Sequence, residues 1–145
     1  MHLTPPHRGS LKVRYIKMKN NELAGEWIFH GHPWGSPFPG QIHLCLNQNG
    51  TQLTGTLQQA ISPQTGEPVA NPEATKANIT GELIVSAQGS DLVVLQRTNI
   101  HDSFRAIFSG IINQDCNSIG GTFVNSNGDC GTFKMIRKKT NQEWT

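Results

Sequence analysis

The chain has 145 residues, enough for one domain with a single hydrophobic core. Its formal net charge of +2 is too small to argue for nucleic-acid binding, and no apolar run is long enough to span a membrane as a helix. Only 35% of the residues are hydrophobic, but they gather in short runs separated by Gly, Asn, Ser and Pro, which is the distribution of a folded β-rich chain and excludes a disordered one.

Residues 1–20 form a basic N-terminal segment. His2, His7, Arg8, Lys12, Arg14, Lys17 and Lys19 stand there with no acid among the first nineteen residues. The segment has no apolar h-region, so no secretory signal is read. It reads as a solvated or partly paired tail; the other readings are a basic arm against an anionic surface and a natural start at Met18. The three cysteines, Cys45, Cys116 and Cys130, form no C-x-x-C pair. With no export signal they predict free thiols and a cytoplasmic setting.

From residue 21 to residue 140 the chain reads as a single β domain, followed by a tail at 141–145. The strands expected, in order, are 25–32, 40–47, 52–59, 77–85, 91–98, 103–112, 118–124 and 130–137. Turn signals stand between them at Asn49-Gly50, Gly89-Ser90, 113–117 and Asn127-Gly128. A glycine recurs inside four of these strands, in QLTGTL at Gly55, NITGEL at Gly81, IFSGII at Gly110 and SIGGTF at Gly121. Glycine within a strand marks a bend or a close backbone approach, as the closing of a small barrel demands. Short connections pair sequential strands antiparallel, so the expected fold is an eight-stranded antiparallel up-and-down β-barrel, with a two-sheet β-sandwich as the alternative.

Gly25-Glu26-Trp27 at the start of the first strand resembles the G-x-W opening of lipocalins, and Arg137 matches the arginine that packs over this tryptophan in that family. The LAGEW…GTQLTGTL progression is also similar to the opening of avidin-type barrels, so the chain resembles the calycin-type small barrels over residues 23–138. It departs from the lipocalin pattern in having no recognisable T-D-Y motif and no evident C-terminal helix. The resemblance implies a barrel floor closed by Trp27 and Arg137, and a small-molecule cavity whose ligand it does not name.

In a meander barrel alternate loops share an end. Loops 33–39, 60–76, 99–102 and 125–129 are therefore expected together at a mouth, opposite the short turns at 48–51, 86–90 and 113–117. Cys116 falls at the closed end and Cys130 at the mouth, roughly 20 Å apart at ~3.3 Å per residue, too far for a disulfide. Cys45 lies mid-strand and is expected to be buried or half-buried.

Three groups of residues are candidates for chemistry. His30 and His32 share a face of the first strand, and with Gln41 opposite His32, His43 would stand opposite His30, completing a possible metal set. The same alternation sends Trp27, Phe29, Ile42 and Leu44 to the core, so the imidazoles are expected on the outer wall and no metal site is assigned. The 33–39 stretch is expected to turn a corner, with Trp34 and Phe38 as a flap over the mouth. His101-Asp102 sits in a mouth loop with Arg97 and Arg105 on the flanking strands, and His101, Asp102 and Arg105 are the set that would act if the barrel were a cyclase- or isomerase-type enzyme. No catalytic residue is otherwise assigned, and no nucleophile or phosphate-binding motif occurs, so no cofactor is expected.

The residues expected to line a cavity are Phe29, Ile42, Leu44, Leu53, Phe104 and Phe108, with Trp34 and Phe38 at the rim. The leading functional reading is the binding of a small, largely apolar molecule; the rivals are the barrel enzyme and a structural or interaction protein with a filled barrel. Residues 91–98 and 103–112 are apolar on both faces, which predicts a covered outer wall and a homodimer.

Overall fold

The computed structural model describes residues 22–138. The basic segment 1–20 and the C-terminal tail 141–145 lie outside the described residues. Eight strands follow one another: β1 (Gly25–Pro33), β2 (Gly40–Asn49), β3 (Gln52–Ile61), β4 (Ala77–Ile84), β5 (Leu92–Asn99), β6 (Arg105–Ile112), β7 (Ser118–Asn125) and β8 (Cys130–Arg137). One short 3-10 turn, Pro72–Thr75, lies in the long connection between β3 and β4. Each strand pairs antiparallel with its neighbour in sequence and β8 returns to β1, so the sheet closes as an up-and-down barrel with no free edge. The sandwich alternative is thereby excluded.

The two-residue period of the strands decides which side chains go inside. On β2, Ile42, Leu44, Leu46 and Gln48 are buried, while His43, Cys45, Asn47 and Asn49 are exposed. Cys45 is thus an exposed thiol, not a buried one, because it has the parity of the outward set. The inward rows of all eight strands merge into one core that includes Trp27, Phe29, Leu53, Ile79, Leu95, Ile119 and Met135.

Close approach between strands explains the recurrent glycines. A Cβ at Gly55 would overlap the Cys45 carbonyl oxygen, and one at Gly121 would overlap that of Ser109. A side chain at either position would push neighbouring strands apart at a bend that the small barrel needs.

The closed end is built as the G-x-W resemblance implied. Trp27 lies opposite Arg137 in the β1–β8 register, and the guanidinium carbon sits 4.4 Å from the indole centroid. Arg137 donates from Nη1 to the Ala24 carbonyl at 2.9 Å, from Nη2 to the carbonyls of Glu22 and Cys116, and from Nε to Asn117 Oδ1 at 3.1 Å. Trp27 Nε1 donates to the Leu23 carbonyl at 3.0 Å, and Leu23 N donates to the buried Gln48 Oε1 at 2.8 Å. Trp27, Gln48 and Arg137 thus find their partners within the protein at this end.

Candidate functional site: the barrel mouth

Phenylalanines from four strands meet halfway up the barrel. The Phe29 ring stacks on Phe133 with centroids 4.9 Å apart, and meets Phe108 edge-on at 4.6 Å. Phe108 also contacts Phe123 and Phe133, at 5.7 and 5.5 Å. Above this layer the inward positions become small. Gly31 on β1 faces Gly40 on β2, and Ala106 takes the corresponding place on β6. The rings therefore end in a floor, and above it the barrel opens into a cavity of about 200 Å³. Phe29, Phe108 and Phe123 form its base, Ile42, Phe104 and Ala106 its apolar wall, and Gln59, Arg97 and Asn125 its polar wall. Pro33, Pro63, Gln64, Asn127 and Asp129 stand at the rim.

Gln59 faces inward by alternation with Leu53 and Leu57, and the bulge of β3 follows it. Gln41 pairs with Ile61 but Ile42 pairs with Gln59, so Ala60 is the extra residue. Arg97 is placed by simple alternation: Val93, Leu95 and Arg97 are the inward residues of β5. Arg97 is only 6% exposed. It donates from Nε to Asn99 Oδ1 at 2.8 Å and from Nη2 to the Thr75 carbonyl at 3.3 Å, and its guanidinium lies 5.0 Å from the Phe104 ring centroid. Burial pushes its pKa down to about 10, against the opposing influence of Asp102. The group therefore remains a cation at neutral pH, in a site where water supplies little of its solvation.

The sequence-predicted lining residues divide by height. Phe29, Ile42, Phe104 and Phe108 line the cavity. Leu44 and Leu53 are buried in the core but are not among its lining residues. Trp34 and Phe38 are 66% and 43% exposed and do not line it either. Their loop is tied sideways: Ser36 Oγ donates to the carbonyls of Phe38 and Pro63, and Phe38 packs where a side chain on Gly66 would otherwise lie. The two aromatics thus stand beside the entrance on a stitched pair of loops, not over it.

His101, Asp102 and Arg105 are not brought together. Asp102 Oδ1 accepts from Phe104 N at 2.8 Å, closing its own turn, and His101 Nε2 lies 3.9 Å from Glu73 Oε2. Arg105 begins β6 with its side chain exposed on the outer face, and none of the three lines the cavity.

The histidine register needs a correction. Gln41 pairs with His30, not His32, and His43 pairs with Ile28. The two strands part after Gly31–Gly40, while β1 continues alone against β8 as far as Pro33. The register is therefore offset by two residues from the one expected, and His43 is not opposite His30. His32 turns instead to the Ser36 carbonyl, and among the described residues no group of three or more His, Cys, Asp or Glu side chains could hold a metal ion. His30 stands opposite Lys134, and its pKa is lowered by partial burial first and by the Lys134 charge second.

Arg97, Gln59, Phe123 and Asn125 are among the lining residues that sequence reasoning did not assign to the cavity. The signal was present, since each has the parity of its strand's inward row, but polar residues near strand ends read as solvent-facing.

No family model matches the sequence, and no curated protein matches it. Solved structures do. The chain is similar to a redesigned β-barrel, mFAP1, solved bound to DFHBI, at 15% identity and a TM-score of 0.57, covering 80% of this chain and 95% of that one. A second redesigned β-barrel matches at 14% identity and a TM-score of 0.55, covering 81% and 93% of the two chains. Xenavidin matches at 12% identity and a TM-score of 0.54, covering 80% and 97%. At these identities the likeness is one of fold: a closed, eight-stranded antiparallel barrel.

Proposed function

We propose that the barrel binds a small molecule in its mouth cavity. The observation that carries this reading is the abrupt end of the packed core at the phenylalanine layer, with an open cavity of about 200 Å³ above it. A barrel serving only as a structural body could be filled by side chains along its whole length. Here the two facing glycines and Ala106 leave the upper part empty. A cavity of roughly 150 Å³ suffices for benzene, whereas drug-sized ligands take about 300–1,000 Å³, so the enclosed part of the ligand is a single substituted ring or a short chain. Three phenylalanine rings supply an apolar bed, and Gln59, Arg97 and Asn125 can orient a polar substituent. The redesigned barrel mFAP1, bound to DFHBI, supports the capacity of such a fold for a small molecule.

Native mass spectrometry of freshly purified, untagged protein, followed by organic extraction, tests this reading. A defined organic adduct is expected, lost on denaturation and lost in Ala106→Phe, whose ring would fill the cavity. A bare chain that also takes up no ring-sized compound would overturn the reading in favour of a filled structural barrel.

We further infer that a second copy covers the outer wall of β4 to β7. Ile84, Leu92 and Ile111 are exposed and adjacent through the strand register, and exposed Ile107 faces exposed Val124 across β6 and β7. Such a row of aliphatic side chains suits a self-complementary two-fold contact. Sedimentation equilibrium should give a dimer that Ile107→Lys with Val124→Lys converts to a monomer; a wild-type monomer at all concentrations would sink the inference.

A further inference from the structure

The mouth cavity contains a cation with no bonded counter-ion: the field of Asp102 favours its charge, but Asp102 Oδ1 accepts from Phe104 N and makes no ion pair with it. Arg97 is the buried cation of the barrel interior, yet the groups it bonds, Asn99 Oδ1 and the Thr75 carbonyl, are both neutral. A guanidinium has five N–H donors in a planar fork. Two are used here, and among the described residues no carboxylate lies within ion-pair distance of the group. The contrast with Arg137 is direct, because four bonds to the chain occupy that guanidinium at the closed end. A buried cation with free donors in a cavity wall, and an acid that acts on it only through its field, can take an anion directly.

We propose that Arg97 recognises the carboxylate of the ligand, so that this barrel selects small ring- or chain-bearing carboxylic acids over their neutral analogues. The inference rests on the reading of the mouth as a small-molecule site, and adds the chemical class. The geometry favours a carboxylate in three ways. The planar fork matches two carboxylate oxygens and forms two parallel bonds. The Phe104 ring, 5.0 Å from the guanidinium, and the bonds to Asn99 and Thr75 fix the fork before any ligand arrives, so little freedom is lost on binding. The phenylalanine floor lies in the same cavity, so an acid group on Arg97 leaves the apolar part of the molecule on Phe29, Phe108 and Phe123. Arg97 keeps its proton at neutral pH even with its pKa lowered to about 10. Asp129, the carboxylate among the lining residues, is exposed at the rim, where water screens it.

The experiment is a matched-pair titration with benzoate against benzamide, and hexanoate against hexanamide, by isothermal calorimetry at low salt. In the wild type each acid should bind at least about tenfold more tightly than its amide, the usual gain of a charge-assisted bidentate contact. In Arg97→Gln this preference should disappear while amide binding persists. In Arg97→Lys it should fall but survive, since the charge remains and the fork is lost. Amide side-chain spectra of the wild type give a check that needs no variant to fold: the Arg97 Hε resonance should move with benzoate and stay with benzamide. Acid and amide binding alike would overturn the carboxylate inference and leave small-molecule binding standing. Failure of both members of each pair to bind, at any concentration up to their solubility, would overturn both readings.

Discussion

The barrel carries an arginine near each end, and the two are treated in opposite ways. Arg137 lies on Trp27 and donates to three backbone carbonyls and one side-chain amide, so it works as a plug that joins the ends of the chain to the floor. Arg97 is more deeply buried than most polar groups of the molecule, but it has two neutral partners and faces open space. A buried polar side chain contributes to stability when its bonds are completed within the protein, and is available for binding when they are not. The difference between the two ends is therefore one of hydrogen-bond completion, not of residue type.

Substitutions can test this contrast. The largest effect should come from Trp27→Ala at the closed end, which removes an indole that is 1% exposed and should cost about 3–5 kcal/mol in urea unfolding. Arg137→Ala should follow, at about 1–3 kcal/mol, because it strands buried carbonyl oxygens; Arg137→Lys should recover little of that, having no planar fork. Arg97→Gln should stay within about 1 kcal/mol of the wild type, since relief of an under-solvated cation offsets the bonds lost. If Arg97→Gln proves as damaging as Arg137→Ala, the comparison breaks and Arg97 is a structural residue.

The smallest effect concerns acid stability on the wall that leads to the mouth. His30 has its folded-state pKa below the ordinary 6.5, so the unfolded chain takes up the proton more readily. Stability should therefore fall as pH drops through the window below 6.5, and His30→Gln should flatten that dependence. Thermal midpoints at pH 7.5 and pH 5 measure it. A steeper loss in the variant would show that another group sets the acid response.

The barrel was legible in the sequence because two signals agreed. Alternation fixed which residues of β2 face inward, and the Gly-Asn-Ser clusters fixed where the strands stop, usually to within two residues. Trp27 and Arg137 were legible as a pair because one packing contact joins the two ends of the pattern. The mouth was harder to read. The spacing of His30, His32 and His43 could not show that β1 leaves β2 after Gly31 yet stays with β8, because that depends on a partner more than ninety residues away. Arg97 was hidden for a different reason: a charge at the end of an apolar strand normally faces water, and only the parity it shares with Val93 and Leu95 shows otherwise.

The seam between β1 and β8 also has a kinetic consequence. The bond from Arg137 to the Ala24 carbonyl joins residues 113 positions apart, whereas every other strand pair is joined by a single connection. Closing the barrel therefore requires a search over nearly the whole chain, and topology of this kind makes folding slow. Lys138 N lies 2.8 Å from the Glu26 carbonyl, so a short peptide could join the two ends of the described chain. A circular permutant reopened in the long β3–β4 connection would make the seam a local hairpin and turn the β3–β4 pair into the distant one. All eight pairings and both arginines would be kept, and only the order in which the pairs can find each other would change.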